Sequence, residues 1–176
     1  MLTSLLYFSL CLLMGFVTKP VLTFTLTNTC TFSVHKSELR GYYSEIRTRA
    51  IMEDTETGVR LLNIAAMRTV QEDQTCCFLR LLLRFYVERV FRNFVSDQPE
   101  GQRSASALAN AFVIMRRNIN KCHCDCNEIT HKAIDSLQTE YDKLATNKAA
   151  IKGVAELDTL LDWMDEVDKT SGTQPL

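Results

Sequence analysis

Cys76-Cys77-Phe78-Leu79-Arg80-Leu81-Leu82-Leu83-Arg84-Phe85-Tyr86-Val87-Glu88-Arg89-Val90-Phe91-Arg92-Asn93-Phe94 is the strongest helical stretch of this chain, and the other elements have to be arranged around it. Leu79, Leu82, Leu83, Tyr86, Val90 and Phe94 share one stripe at helical period, and Phe78, Leu81, Phe85, Val87 and Phe91 widen it. A helix that is apolar around most of its circumference needs neighbours on nearly every side. Arg80, Arg84 and Glu88, four residues apart, mark the narrow strip left to water. The pattern predicts a helix over 76–95, stopped by Asp97-Gln98-Pro99-Glu100-Gly101.

The flanking segments supply those neighbours. Leu39, Tyr43, Ile46 and Ala50 make the stripe of a first helix over 35–52, ended by the polar run 53–58 with its closing Gly58. A short helix is predicted within 59–67, then a polar connection over 68–74. Ser104 is the expected N-cap of a helix carrying Leu108, Ala111, Phe112, Met115 and Ile119. The next carries Thr130, Ala133, Ile134, Leu137, Tyr141 and Leu144. Asn147 is expected to cap a last helix with Val154, Leu157, Leu160, Leu161 and Met164 inward, and residues 170–176 read as a disordered tail. Three prolines, six glycines and almost no strand signal in 176 residues predict an all-α fold, a compact bundle of about six helices in a single domain.

Cysteine placement predicts how the bundle is held. Residues 1–17 form an apolar run too short for a comfortable membrane span, so residues 1–22 read as a secretory leader, cut between Thr18 and Phe24, before a domain over 23–176. Losing Cys11 with the leader turns seven cysteines into six. An even number in a secreted chain reads as disulfides. Adjacent Cys76 and Cys77 cannot readily bridge each other, and a bridge inside the triplet Cys122, Cys124, Cys126 would be strained. Each of Cys30, Cys76 and Cys77 is therefore expected to take one triplet partner, which leaves six pairings open. Zinc is the rival for the ligand-rich run Cys122-His123-Cys124-Asp125-Cys126, but its ligand spacing is tighter than zinc sites favour, and the leader implies an oxidising compartment.

Catalytic patterns are missing from the sequence. There is no Gly-x-Ser-x-Gly elbow, glycine-rich phosphate loop or His-Glu-x-x-His, and His35, His123 and His131 read as solvated or capping residues. An enzyme is not expected, nor a cofactor or metal. The net charge of -1 argues against nucleic-acid or membrane-surface binding. Glu156, Asp158, Asp162, Asp165, Glu166 and Asp168 stand between Val154 and Asp168 without a Lys or Arg, against the helix dipole. They serve solubility, pair with arginines elsewhere in the bundle, or face a basic partner. Trp163, at the stripe's border, reads as core flank ahead of interface anchor. The alternative for the whole chain is a secreted helical carrier of lipid or another hydrophobic ligand, although the bulk of Phe78 to Phe94 would fill the cavity a carrier needs.

The run 76–94, with Ser44-Glu45-Ile46-Arg47, Ser106-Ala107-Leu108-Ala109-Asn110-Ala111-Phe112 and Glu156-Leu157-Asp158-Thr159-Leu160-Leu161-Asp162-Trp163-Met164, resembles the interleukin-19/20/24 branch of the interleukin-10 family of class II helical cytokines. The match runs in order through nearly all of 23–176. It implies bridges Cys30–Cys122, Cys76–Cys124 and Cys77–Cys126, one of the six pairings left open. The spacing inside the triplet is shorter here than in that branch, which implies a short stapled connection and a monomer. The resemblance also implies an extracellular signal that bridges two class II receptor chains, similar to the interleukin-20 receptor alpha and beta pair. Tyr42, Arg47, Glu53, Asp54 and Arg60, joined by Glu156, Asp162 and Glu166, are the contacts it implies for one chain, and the first and central helices carry the other.

Overall fold

The computed structural model describes residues 22–27 and 30–171. The predicted leader, apart from its last residue Leu22, lies outside the described residues. The helices are α1 (Lys36–Glu53), α2 (Ile64–Arg68), α3 (Glu72–Phe85), α4 (Pro99–Ile119), α5 (Glu128–Asp142), α6 (Thr146–Ala155) and α7 (Leu157–Ser171). Every residue of the α1 stripe, Leu39, Tyr43, Ile46 and Ala50, is buried. Lys36 starts α1 where β2 ends, and Asp54 closes it with its N–H on the Ala50 carbonyl. Asn63 caps α2 by accepting from the N–H groups of Ala65 and Ala66. Glu72 and Asp73, in the first turn of α3, suit its dipole.

The central helix holds the core as its periodicity predicts, with a departure in its second half. Beyond α3 the backbone widens into a π-helix over Tyr86–Phe91. That wider turn keeps Tyr86, Val90 and Phe91 all inside. The carbonyl of Arg89, in the widened turn, accepts from Asn93 Nδ2 (2.7 Å) and from Tyr141 Oη (3.0 Å). Aromatic edges then fill the centre. Phe91 and Phe112 meet at 5.3 Å between ring centroids, Phe85 and Tyr141 at 5.2 Å, and Tyr86 and Phe112 at 5.7 Å. Trp163, 3% exposed, stands edge-on to Phe78 at 5.5 Å and is therefore core.

Helix α6 reaches the π-helical turn only because residue 153 has no side chain. A Cβ on Gly153 would lie 2.7 and 2.8 Å from the two methyl carbons of Val90. Tyr86 Oη fixes the approach by donating to the Gly153 carbonyl (3.0 Å). Gly153→Ala is expected to cost about 1–2 kcal/mol net, overpacking outweighing the roughly 1 kcal/mol that alanine gains in a helix. Denaturant melts of Gly153→Ala, Val90→Ala and the double variant check this. The double variant should lose less than the sum of the singles.

Several expectations need correction. Residues Leu22–Thr27 (β1) and Cys30–Val34 (β2) form an antiparallel hairpin, Leu22 opposite Val34 and Phe24 opposite Phe32. β1 packs on α3 and α7, and β2 on α4, which ties the chain's start to the bundle. Leu22, assigned to the leader, thus belongs to β1. Ser104 is no cap but a buried residue inside α4, which begins at Pro99, where a proline's missing N–H costs nothing. Asn147 lies inside α6, whose N-cap is Ala145. The last helix breaks at Glu156 into α6 and α7. Ala133 faces outward, and α7 continues through Thr170 to Ser171, so of the predicted tail only 172–176 lie outside the described residues.

Candidate binding surface

Three disulfides gather one end of the bundle. Cys30 joins Cys122, Cys76 joins Cys124 and Cys77 joins Cys126, with Cα–Cα distances of 5.3, 5.9 and 5.4 Å. That is the pairing the resemblance implies. Adjacent Cys76 and Cys77 reach different partners because the triplet turns between them. His123, φ 46°, is left-handed there, the one described non-glycine residue with positive φ.

Along α1 runs a row of cations, Lys36, Arg40 and Arg47, and along α7 a row of acids. Arg47 meets Asp158 (3.2 Å), Arg40 meets Asp162 (2.8 Å) and Asp165 (2.5 Å), and Lys36 meets Asp165 (3.1 Å) and Asp168 (2.5 Å). Arg68 of α2 takes Glu166 with two hydrogen bonds (2.5 and 2.9 Å). The acids of α7 therefore pair with cations inside the bundle. Most of these pairs are exposed, and each contributes about 0–1 kcal/mol. Their work is to set the register of two antiparallel helices. Burial alone would raise the Asp165 carboxyl, but hydrogen bonds from Arg40 and Lys36 outweigh it and hold the group below its ordinary value.

The loop between α1 and α2 is held more firmly. Glu156, at the α6–α7 break, accepts from the N–H groups of Leu61 (2.9 Å) and Leu62 (2.7 Å). Lys152 Nζ lies 3.3 Å from Glu156 and 3.0 Å from Asp54. The three side chains are 14%, 8% and 15% exposed, so this is a nearly buried triad. Lys148 grips Glu56 (2.8 Å) at the same loop. Burial pushes the Glu156 carboxyl up, against the pull of the Leu62 N–H, Lys152 and the Leu61 N–H. A carboxyl raised on folding contributes stability below its unfolded value, lost as pH rises through its folded value. Glu156→Gln should therefore gain stability relative to the parent as pH rises from 4 to 7. Chemical denaturation at both ends checks the sign.

The predicted contact residues fall at several separate places on the bundle. Arg47, Asp162 and Glu166 lie in the ion-paired rows. Glu53, at the end of α1, pairs with Arg49 (2.6 Å), which also grips Asp97 (2.6 Å). Arg60 lines a cavity of about 290 Å³ under the loop, with Leu61, Leu62, Met67, Phe78 and Leu137. Asp54 and Glu156 are turned inward and position the loop rather than offer a contact. Tyr42 belongs elsewhere. It lines an apolar groove of about 140 Å³ between α1 and α4 with Val34, Leu39, Ala111, Ile114 and Met115. Ile114 is 56% and Tyr42 37% exposed there. Sequence reading missed Lys36, Arg40, Arg68, Lys152 and Ile114. The i, i+4, i+11 spacing of Lys36, Arg40 and Arg47, set against i, i+4, i+7 for Asp158, Asp162 and Asp165, was the available signal.

The interleukin 10 family model matches residues 13–169. Interleukin-20 of Mus musculus is 31% identical over 143 residues, covering 78% of this chain and 81% of that protein. Interleukin-19 of the same species is 29% identical over 140 residues, 77% of this chain and 80% of that one. The crystal structure of human interleukin-19 superposes with a TM-score of 0.70 at 28% identity, over 76% of this chain and 89% of that one. An edited human interleukin 24 gives 0.69 at 27% identity, over 87% and 99%.

Proposed function

Because the chain belongs to the interleukin-10 family of helical cytokines, not to a family of enzymes, we propose that it signals outside the cell by bridging two different class II receptor chains. The observation that carries this reading is that α1 is shared by two unlike surfaces. Toward α7 and the 54–63 loop it borders a polar, ion-paired face with Arg47, Glu53, Arg60, Asp162 and Glu166. Toward α4 it borders the apolar groove with Tyr42 and Ile114. One helix with two chemically different flanks suits two different partners. The polar face suits a chain that matches its charges, and the groove suits one that offers an aromatic or aliphatic side chain. The partners are chains like the interleukin-20 receptor alpha and beta, whose associated kinases then phosphorylate each other. No bond is broken in the cytokine.

Binding to immobilised ectodomains of the two chains, singly and paired, tests this. Arg47→Glu should weaken one chain at least tenfold and spare the other, and Ile114→Glu should do the reverse, since losing a central contact costs about 1.4 kcal/mol or more. If both substitutions weaken the same chain, the two-surface reading fails. Secretion carries its own expectation. A leader cut that spares the Leu22–Val34 pair lies before Leu22, so the secreted protein's N-terminal sequence should include Leu22. The secreted chain alone should have the mass of one copy by light scattering.

A further inference from the structure

Sulfurs of different bridges stand in contact at the stapled end of the bundle. Cys76 Sγ, bonded to Cys124, lies 3.8 Å from Cys30 Sγ, which is bonded to Cys122. The Sγ atoms of Cys30, Cys76 and Cys122 all lie within 4.8 Å of one another, and no sulfur of the Cys77–Cys126 bridge belongs to that cluster. With these cysteines committed to bridges, the cluster offers a metal no thiolate. Exposure is unequal within each of the two bridges. Cys30 and Cys76 are 1% and 2% exposed, whereas Cys122 and Cys124 are half-buried on the triplet turn. A small thiol arriving from solvent therefore meets Cys124 and not Cys76. The group it expels is a buried Cys76 thiolate, already against a second bridge.

We propose that these two bridges form a thiol relay, in which a small thiol of the glutathione class opens Cys76–Cys124 and Cys76 then displaces Cys122 from Cys30. In the first step the incoming thiolate bonds to Cys124 Sγ, and the electron pair of the Cys76–Cys124 bond leaves on Cys76. In the second, Cys76 Sγ bonds to Cys30 Sγ, and the pair of the Cys30–Cys122 bond leaves on Cys122, which takes a proton from water. The number of S–S bonds is unchanged, so no oxidant is needed. A return attack of Cys122 on Cys124 would close a strained bridge across one residue, so Cys124 keeps the small thiol. The hairpin need not move to accept the new bond, because β1 already packs on α3. Its tether passes from the end of α4 to α3, and the triplet turn is left held by Cys77–Cys126 alone. The relay rests on the sulfur cluster and not on receptor bridging, because its test involves no receptor.

Bridge mapping of the full secreted chain tests this. The folded parent is held for hours in a buffer of reduced and oxidised glutathione, since uncatalysed exchange takes minutes to hours. Free thiols are then trapped with a maleimide, and the bridges are mapped by mass spectrometry without reduction. The expected product has a Cys30–Cys76 link, maleimide on Cys122, glutathione on Cys124 and Cys77–Cys126 intact. Cys124→Ser starts the relay without glutathione and should show the same Cys30–Cys76 link with maleimide on Cys122. Cys126→Ser frees Cys77, which lies outside the cluster, and should keep both Cys30–Cys122 and Cys76–Cys124. Maleimide on Cys76 with Cys30–Cys122 intact, in the parent or in Cys124→Ser, would overturn the relay. So would a folded parent whose bridges are untouched by glutathione, or equal scrambling of all three bridges. Circular dichroism before trapping checks that each sample is folded, and the parent result decides the matter if Cys124→Ser does not fold.

Discussion

Replacing Lys152 by alanine is expected to destabilise the fold by about 3–5 kcal/mol, among the largest effects of any single substitution in the chain. Lys152 is buried in α6, with Asp54 at 3.0 Å and Glu156 at 3.3 Å. Removing the cation leaves two nearly buried carboxylates without a counter-charge, Glu156 answered by the Leu61 and Leu62 N–H groups and Asp54 by the Glu56 N–H (3.0 Å). Reversing the cost should require neutralising both acids. Lys152→Met with Asp54→Asn and Glu156→Gln is expected to recover most of the loss, because well-packed neutral groups often match a buried ion network. Urea unfolding of the single and triple variants measures this. A loss under about 1 kcal/mol for Lys152→Ala would mean that the triad is solvated. The same substitution should release the 54–62 loop, seen as faster amide exchange at Leu61 and Leu62.

Replacing Cys76 and Cys124 by serine is expected to cost about 4 kcal/mol, since the bridge closes a loop with a sequence separation of 48. The Cys30–Cys122 bridge, with a separation of 92, should cost about as much or slightly more in the same entropy model. Its removal also unties the hairpin from the bundle, because Cys30 is the first residue of β2 and 1% exposed. The two losses should not add fully, for the bridges share the triplet turn and Cys76 Sγ lies 3.8 Å from Cys30 Sγ. Thermal melts of each serine pair and of both together check the costs and their coupling. A drop below about 1 kcal/mol for either would show that packing alone holds that end.

Most of the helical core was legible because its signal is local. Leu39, Tyr43, Ile46 and Ala50 repeat at helical spacing and are buried as a set, and so are Leu157, Leu160, Leu161 and Met164. What escaped was decided by tertiary contact. No proline near Glu156 marks a helix end. The helix breaks where Glu156 reaches N–H groups of Leu61 and Leu62, ninety-five and ninety-four residues away in sequence. Ser104 is a good cap residue, yet the helix starts five residues earlier because Pro99 suits a first helical position. The hairpin strand Leu22-Thr-Phe-Thr-Leu-Thr does alternate apolar and polar residues, but it abuts the apolar leader and was absorbed into its margin. The binding surfaces were legible only by halves. Acids on α7 stood out as a run, while the cations that answer them are spread over α1 and α2. Tyr42 was placed with the wrong flank of α1 because sequence order does not say on which side of a helix its neighbours pack.

The most direct measurement of the central claim is the mass of the complex formed in solution with both receptor ectodomains, by light scattering on a size-exclusion column. Two unlike surfaces sharing α1 predict one cytokine with one copy of each chain, and a loss of just one ectodomain from the complex with Ile114→Glu. A complex holding two copies of a single chain, or one from which Ile114→Glu removes both, would contradict it.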